Sequence, residues 1–578
     1  MELLNFNKAN CKHCYKCLRV CPVKAIKFKN DQASIVEERC IACGHCFIAC
    51  PQNARKVASD LNSIKSAIED GKKVIASVAP SYIGAFPMER GEQLVTALKK
   101  LGFVYVEETA IGADIVSSLY EEELSKGTRK NIITTACPSV NLLIEKYFPS
   151  LTNYMLPIVS PMLAHGKMMK ETYGLDSFVV FIGPCIAKKV EANEVQHDDI
   201  VDAVLTFEEL EMWLKDENIN LSKEKFTPFD DRSTERGRGY PIDGGVLKSF
   251  VKDKDNIKYD IINVDGVEEC IDFLETLSSE NIEGVCVEMN ACRGGCVNGP
   301  GMPKNDLSRY RREKNVKQYI KSRDRSFTYE KIKVPRNIDF DKVFMDKSFY
   351  RPEITEEDIL TVLRSIDKYN EADELNCSAC GYATCREKAR AVLEGMAETS
   401  MCLPYMKGRA ERLSNHIFEN SPNAIFVIDG NLNIVEFNPV CEKVFNVKAK
   451  DVIGSPISIV IDDNIFEKVK ETREDIILQK VFYKKQGIVL IQNIIHIENE
   501  DAMLVIMTDI TSAEKDREEL DRIKKNTLDA AQDVIEKQMR VAQEIAGLLG
   551  ETTAETKVVL TKLKELVLKD GDIKWHIL

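Results

Sequence analysis

Short apolar runs alternate with amphipathic segments along the middle of the chain. The run KKVIASVAP (72–80) predicts a buried strand, and EQLVTALKKLGF (92–103) predicts an amphipathic helix that ends near Gly102. The pair FVYVEE and ADIVSSLYEEELSKG repeats this order of strand and helix. Such alternation is typical of parallel sheets covered by helices, so we predict an α/β region here.

Three further apolar runs each end in a cysteine. They are NIITTAC, SFVVFIGPC and VCVEMNAC, which end at Cys137, Cys185 and Cys292. Ligands of parallel sheets bind beyond the carboxyl ends of the strands. We therefore predict that the three loops meet in a cleft between two α/β lobes. Cys270 and Cys286 lie within a predicted helix and strand, and we expect packed thiols there.

The last third of the chain changes pattern twice. Residues 410–512 contain the predicted hairpin IDGNLNIVEFN, with its turn at Asp429–Asn433. This part ends with the apolar run MLVIMTDIT, whose last three residues are Asp509–Thr511. This part resembles a PAS domain, which implies ligand sensing or signal relay and frequent dimerisation. Cys441 and His496 are expected in core or surface roles.

A charged helix is predicted over 513–549, and VVLTKLKELVL (558–568) predicts a second amphipathic segment. Apolar residues recur on the first helix at helical spacing, which favours a homodimer through this region and the PAS domain. They are Leu520, Ile523, Val534, Val541, Ile545 and Leu548. No kinase signature, ATP-binding loop or recognition helix is found, so any signalling output is expected from another protein.

Composition restricts the class of protein. The 578 residues suggest three to five domains, and a net charge of −13 argues against nucleic acid as a partner. No apolar run has the length of a membrane span, and MELLNFNKAN does not resemble a secretory signal. The 19 cysteines are mostly clustered, which indicates metal binding rather than disulfides and predicts a reducing, cytoplasmic location.

Two cysteine runs near the start share one spacing. CKHCYKCLRVCP and CIACGHCFIACP both read C-x2-C-x2-C-x3-C-P, the pattern of bacterial two-cluster ferredoxins, in which the fourth cysteine serves the other cluster. Structural zinc uses similar spacing, but the duplication favours two 4Fe–4S clusters. His13 and His45 are expected to be solvated. The predicted ligand sets are Cys11, Cys14, Cys17 and Cys50 for one cluster and Cys40, Cys43, Cys46 and Cys21 for the other.

A further set lies in CSACGYATCREKARAVLEGMAETSMCLP (377–404), spaced C-x2-C-x4-C-x16-C-P. It resembles the small 4Fe–4S module of corrinoid iron–sulfur proteins and of several redox regulators. The resemblance implies Cys377, Cys380, Cys385 and Cys402 as ligands, with the predicted helix REKARAVLEGMAE returning the last to the others. Zinc is the alternative.

The glycine-rich stretch Glu288–Pro303, EMNACRGGCVNGPGMP, adds the pair Cys292 and Cys296. By itself it is also compatible with a turn that contains incidental thiols. Together with TTACPSV and FIGPCIAKK, it resembles the active-site motifs of FeFe-hydrogenases, a resemblance that covers roughly residues 1 to 350.

That resemblance implies a cofactor and its ligands. Cys137, Cys185, Cys292 and Cys296 would hold a 4Fe–4S cubane, and Cys296 would bridge it to a di-iron subcluster with CO, cyanide and a dithiolate. Lys188 would contact one cyanide, and Pro80 with Ser81 the other; Cys296, Lys188 and Ser81 are the implied catalytic residues. Implied reaction partners are H₂, protons and a ferredoxin-like electron donor or acceptor.

The chain departs from this family around the implied ligands. Ala136 replaces the proton-relay thiol beside Cys137, and the acidic pair of the relay has no match. Gly183 and Asn290 stand where the family has methionines, and Met162 stands where it has a glutamine. In the third motif, Arg293 and Pro300 occupy positions that are unusual for the family. Because surrounding groups tune potential and proton access, these changes and the PAS domain together suggest a slow, sensory FeFe-hydrogenase.

The predicted fold is multidomain α/β and α+β. Its parts are a two-cluster ferredoxin-like domain (1–57), a two-lobed α/β domain (58–350), a small helical 4Fe–4S domain (351–408), a PAS domain (409–512) and C-terminal helices (513–578). Residues 304–350 within it are expected to form a polar, mainly helical cover and linker. Two other functions stay open: an iron–sulfur redox sensor or electron-transfer protein without hydrogenase activity, and a working hydrogenase in which PAS supports assembly only.

Overall fold

The computed structural model describes residues 4–6, 10–30, 32–231, 235–251, 258–280, 282–305, 307–321, 334–484, 486–497, 500–546 and 562. The chain divides into two compact units, Met1–Met406 and Lys407–Leu578. The sixteen predicted cluster ligands all belong to the first unit. None of the described helices has the length and apolarity needed to cross a bilayer.

The amino-terminal segment repeats one local structure in its two cysteine runs. Each run places a residue in the left-handed region, Tyr15 at φ 54° and Gly44 at φ 78°, directly before a short helix. Two antiparallel ladders, β1 with β4 and β2 with β3, enclose these helices. The elements are β1 (Leu4–Phe6), α1 (Lys16–Arg19), β2 (Ile26–Lys29), β3 (Gln32–Ile35), α2 (His45–Ala49) and β4 (Arg55–Val57).

Strands and helices alternate through the next 250 residues. The elements are α3 (Leu61–Glu69), β5 (Val74–Val78), α4 (Tyr82–Ala85), α5 (Glu92–Lys100), β6 (Tyr105–Glu108), α6 (Ala110–Lys126), β7 (Ile132–Ile133), α7 (Pro138–Tyr147), α8 (Pro161–Tyr173), β8 (Phe178–Gly183), α9 (Ala187–Ala192), β9 (Ala203–Thr206), α10 (Phe207–Asp216), α11 (Glu235–Arg238), α12 (Gly245–Phe250), β10 (Asp260–Asp265), α13 (Val267–Ser279), β11 (Val285–Asn290) and α14 (Arg309–Lys321).

These elements form two parallel sheets, and the predicted two-lobed α/β architecture is confirmed. The first lobe has the strand order β6-β5-β8-β9 and the second β10-β11-β7. All five residues of β5 are buried, as expected when helices cover both faces of a parallel sheet. The carboxyl ends of β5, β7, β8 and β11 carry the loops that contain the predicted ligands.

Two stretches differ from their predicted structure. The strand predicted in NIITTAC is short, because the amide of Thr135 bonds to the hydroxyl of Tyr120 and leaves the ladder. Among the described residues of the mainly helical cover predicted over 304–350, only those of α14 are helical. Described residues 334–350 are irregular instead, with a turn at 336–338, and hydrogen-bond to the lobes, as where Val159 N donates to Phe340 O at 2.9 Å. For the basic stretches RYRREK and KSRDRS of this region the sequence predicts a solvated face, but Arg312 in RYRREK is buried. All of KSRDRS except Lys321 lies outside the described residues.

Three helices complete the first unit and enter the second. They are α15 (Glu356–Arg364), α16 (Cys385–Leu393) and α17 (Leu403–Asn420), the last of which begins directly after Cys402. Thr355 caps α15 in a capping box with Asp358, and Thr384 caps α16 by accepting from the amide of Glu387. The predicted helix between Cys385 and Cys402 is therefore present.

The second unit contains a five-stranded antiparallel sheet of order β13-β12-β16-β15-β14. The predicted hairpin joins β12 to β13, and the ring of Phe426 packs against Phe437, Phe445 and Phe466 inside the unit. All but Lys562 of VVLTKLKELVL lies outside the described residues. The elements are β12 (Ala424–Asp429), β13 (Ile434–Phe437), α18 (Pro439–Phe445), α19 (Ala449–Val452), α20 (Asn464–Thr472), β14 (Ile476–Tyr483), β15 (Ile488–Ile497), β16 (Ala502–Asp509) and α21 (Thr511–Ala546).

Candidate metal centres and the central cavity

One cavity of about 920 Å³, its mouth included, lies between the two lobes at the carboxyl ends of their strands. We call it the central cavity. It is lined by the four cysteines predicted as cubane ligands and by the three other predicted site residues. These residues are Cys137, Cys185, Cys292, Cys296, Pro80, Ser81 and Lys188. Loops from four different strands thus converge, as the ends of parallel strands in facing sheets allow.

The donor set of the central cavity suits an iron–sulfur cubane. Its four cysteines are free thiols that line one cavity. Among the described residues no three His, Cys, Asp or Glu side chains form a site for a single metal ion. Cubane ligands instead surround a cluster, each binding a different iron atom, and thiolate is the ligand that such clusters use.

Ser81 supplies a second test of fit. Its side chain is fully buried, and no described group lies within hydrogen-bond distance of its Oγ. A buried hydroxyl without a partner costs free energy, on the order of 1–3 kcal/mol. A polar ligand in the cavity that accepts from Ser81 would remove that cost, as expected of the cofactor that the family resemblance implies.

Lys188 is held at the cavity wall by an ion pair that the sequence analysis missed. Its Nζ lies 2.7 Å from Glu191 Oε2, which also accepts from Ser160 at 2.8 Å. Burial alone would raise the pKa of Glu191, but Lys188 and Lys342 hold it well below its usual range. The spacing of three residues on α9 was the available signal for this pair. Since both partners are buried, Lys188 is anchored on one side and can donate to a ligand on the other.

Four of the six positions at which the chain differs from the motifs of the family it resembles line the central cavity. Ala136 contributes only a methyl group beside Cys137, and Met162, Asn290 and Pro300 also lie in the wall; Gly183 and Arg293 do not. Asn290 donates at 2.8 Å to Glu288, a second missed residue. Burial raises the pKa of Glu288 to about 7. The wall therefore brings the four predicted sulfur ligands together with Ala136, Met162 and Asn290 around them.

The second cysteine run reaches the central cavity directly. Cys43 lines the cavity, and a Cβ added to Gly44 would lie 2.5 Å from Pro300 in the glycine-rich loop. Gly44, at φ 78°, therefore allows the two loops to touch. A cluster on Cys40, Cys43, Cys46 and Cys21 would be the neighbour of the cubane in the central cavity.

Arg55 is a buried cation among the ferredoxin-like cysteines. It is only 3% exposed, hydrogen-bonds to Cys17 and acts electrostatically on Cys40 and Cys46, so it lies close to both predicted clusters. Charge and hydrogen bonds near the sulfurs set cluster potentials, and a cation favours the reduced, more negative form.

Arg55→Met is therefore expected to lower the reduction potential of the ferredoxin-like clusters by about 50–100 mV, the effect of one charge several ångströms away at an effective dielectric constant near 20. Redox titration followed by electron paramagnetic resonance measures this shift. Lys56→Met is the matched control, because Lys56 is the exposed neighbour. Equal potentials in the wild type and Arg55→Met would contradict the assignment.

A second, smaller cavity lies in the small domain and is lined by all four of its predicted ligands, Cys377, Cys380, Cys385 and Cys402. This domain packs on the ferredoxin-like segment. A Cβ added to Gly381 would lie 3.0 Å from the side chain of Leu18, and Lys24 Nζ donates to Gly381 O at 3.2 Å. The small domain is thus in direct contact with the first cysteine run.

The remaining three cysteines are packed thiols, as expected. Cys270 and Cys286 are fully buried in the apolar interior of the lobes, and Cys441 is fully buried in the second unit, where its Sγ donates to Ile425 O at 3.3 Å. His496 lies on β15, half-buried. None of them lines the central cavity.

Family models match four parts of the chain. The iron only hydrogenase large subunit, C-terminal domain, matches residues 72–300, and the 4Fe-4S dicluster domain matches residues 3–51. The PAS fold matches residues 413–500, and an Fe–S cluster family matches residues 373–404. Each match includes the corresponding cysteines or strands described above.

The curated relatives include hydrogenases and proteins of another class. Iron hydrogenase 1 of Clostridium pasteurianum is 28% identical over 52% of this chain and 65% of its own length. The periplasmic Fe hydrogenase large subunit of Nitratidesulfovibrio vulgaris is 29% identical over 52% of this chain and 87% of its own. The probable cytosolic Fe-S cluster assembly factor oxy-4 of Caenorhabditis elegans is 23% identical over 44% and 68%. Successive parts of the chain are thus similar to a 4Fe–4S dicluster domain, to the C-terminal domain of the iron-only hydrogenase large subunit, to a small Fe–S cluster family and to the PAS fold.

Proposed function

We propose that this protein is a slow iron-only hydrogenase that senses hydrogen or redox state. The observation that carries the proposal is the composition of the central cavity. It keeps the four cysteines, Lys188 and the unpartnered Ser81, but has Ala136 where the hydrogenases place a proton-relay thiol. When bound, the di-iron subcluster would supply the site at which H₂ is split or formed. The chain's own residues would bind and orient it.

The clusters would carry electrons between the central cavity and the rest of the protein. Cys43 lies at the cavity, and the small domain contacts the first cysteine run. From Cys402 the chain passes through α17 to β12 of the PAS fold. We propose that a change in the redox state of the clusters is transmitted from the small domain through α17 to the PAS fold. We also propose that a ferredoxin-like protein exchanges electrons with the clusters.

A homodimer and a separate signalling protein would complete the sensor. Leu520, Ile523, Val534, Val541 and Ile545 are each more than half exposed on α21, at the helical spacing that a second copy of the helix would cover. We propose that this face pairs two chains.

The proposed function predicts the infrared spectrum of maturated protein. Terminal CO and cyanide bands are expected, together with H₂ evolution well below that of the iron hydrogenases it resembles, because Ala136 cannot transfer a proton. Spectra and H₂ evolution from a chemical reductant are measured on the same sample. Absent bands in protein with full iron–sulfur content would contradict the proposal.

The second candidate is an iron–sulfur redox sensor or electron-transfer protein without hydrogenase activity. The similarity to a probable cytosolic Fe-S cluster assembly factor favours it, since that protein is named for a function other than hydrogen chemistry. In this case the central cavity would hold a cubane alone. Missing CO and cyanide bands with four 4Fe–4S clusters by Mössbauer spectroscopy would support this candidate.

A further inference from the structure

Five polar side chains form an unbroken hydrogen-bonded chain in the first lobe, and we call them the relay. Thr109 Oγ1 lies 2.7 Å from Ser77 Oγ, which lies 2.8 Å from His165 Nδ1. His165 Nε2 lies 2.9 Å from one oxygen of Glu107. The hydroxyl of Tyr173 donates to the other oxygen of that carboxylate.

The inner end of the relay opens on the central cavity. Thr109 follows β6 directly and lines the cavity, while Ser77, His165 and Glu107 are each at most 4% exposed. Buried polar groups of this kind interact strongly, because water does not screen them. The relay thus begins at the cavity wall and passes through the interior of the lobe.

The outer end of the relay reaches solvent. Tyr173 is the last residue of α8 and is half-buried, with its ring stacked on Tyr105 at 4.3 Å. The carboxylates of Asp230 and Asp231 act electrostatically on it. Asp230 is itself paired with Lys99 at 2.8 Å. The relay thus ends at a half-buried hydroxyl beside acidic groups of the surface.

A glycine allows the relay to assemble. A Cβ on Gly112 of α6 would lie 2.2 Å from Pro161 O and 2.8 Å from His165 Cβ. Only the missing side chain lets α8 approach α6 this closely and place His165 between Ser77 and Glu107. The close approach of the two helices therefore fixes the central residue of the relay.

The chemistry of the five groups suits proton transfer. Imidazole can take a proton at one nitrogen and release one at the other, and each hydroxyl can donate and accept. Burial alone would raise the pKa of Glu107, but the hydrogen bonds from His165 and Tyr173 hold it below its usual value. The carboxylate is consequently ionised and able to accept.

We infer that the relay carries protons between solvent at Tyr173 and the central cavity, in place of the thiol that Ala136 lacks. This inference rests on the proposed function. A proton released in the cavity passes to Thr109 Oγ1 as Thr109 gives its own to Ser77, and Ser77 gives its own to His165 Nδ1. His165 then releases to the ionised Glu107 the proton that its Nε2 already donates, and the protonated Glu107 gives it to the Tyr173 oxygen as Tyr173 releases its own to solvent. One proton enters at the cavity and one leaves at Tyr173, and the reverse order serves H₂ evolution.

Glu288, another buried acid near the cavity, lacks such a connection. Glu288 accepts from Asn290 and from the amide of Leu247 at 2.8 Å, and its described hydrogen bonds end there. The relay, in contrast, continues to the half-buried Tyr173. Substitutions in the relay and a substitution of Glu288 therefore have different expected effects on proton transfer.

Tyr173→Phe and His165→Phe test the relay in full-length maturated protein. Each is expected to lower H₂ evolution by about 10–100-fold, a loss at the lower end of general acid–base effects because water can replace part of the route. The solvent deuterium isotope effect on H₂ evolution should rise, since proton transfer becomes rate-limiting. The CO and cyanide bands should keep their wild-type intensities, which shows that the variants bind the cofactor.

Tyr105→Phe is the matched control, because it removes a hydroxyl from the ring stacked on Tyr173 but outside the relay. It is expected to keep the wild-type rate. Wild-type rates and isotope effects in Tyr173→Phe would overturn the inference, even if His165→Phe does not fold. So would equal losses in Tyr105→Phe, or a loss confined to Glu288→Gln. Missing CO and cyanide bands in the wild type would instead overturn the proposed function, and the relay with it.

Discussion

Cys296→Ala will abolish the di-iron subcluster and leave the ferredoxin-like clusters intact. In the family that this chain resembles, the cysteine at this position is the covalent bridge between cubane and di-iron unit. Here Cys296 begins the turn Cys296–Asn298 and lines the central cavity together with the other three cysteines. An alanine methyl group cannot ligate iron, so the subcluster would lose its attachment.

Infrared and electron paramagnetic resonance spectra of Cys296→Ala measure the two parts of this expectation separately. The CO and cyanide bands and H₂ turnover should disappear, whereas the signals of the clusters on the two C-x2-C runs should remain. Cys270→Ala is the control, since Cys270 is a fully buried thiol on α13 that does not line the cavity. Retained H₂ oxidation in Cys296→Ala would rule out the ligand assignment.

Ala136→Cys is expected to raise H₂ turnover by about tenfold or more. Position 136 lines the central cavity next to Cys137, so a thiol there would put a titratable group beside the cofactor. A positioned acid–base group typically contributes about 10²–10⁴-fold, and the gain should be smaller here because the outer acidic pair of the hydrogenase relay is missing.

The rate of H₂ evolution in Ala136→Cys is compared with wild type after infrared spectra show equal cofactor content. Ala136→Val is the control, because it adds volume without a titratable group. An increase in both variants would assign the effect to cavity shape rather than to proton transfer. A wild type that already matches ordinary iron hydrogenases would remove the main support for a sensor.

The lobes and the cysteine sets could be predicted because their signals are local. Strand and helix alternation follows from short-range hydrophobic periodicity, and the ferredoxin-like runs carry a spacing that few other sites use. The short β7 was not predictable, because the hydroxyl that removes Thr135 from the ladder belongs to Tyr120 on α6. The irregular structure of 334–350 was missed for a similar reason, since its backbone bonds to residues that are distant in the sequence.

By itself, the sequence predicted how the cysteines group into sets, that the sheets of the two lobes are parallel, and that a PAS fold follows the iron–sulfur domains. The tertiary structure alone decided which polar groups surround the central cavity. Ser77 and His165 are 88 positions apart, and His165 and Glu107 are 58 apart. No local pattern records such pairs, because they meet only when α8 packs against α6 beside the sheet. Arg55 likewise reaches both ferredoxin-like ligand sets only after the chain has folded around them.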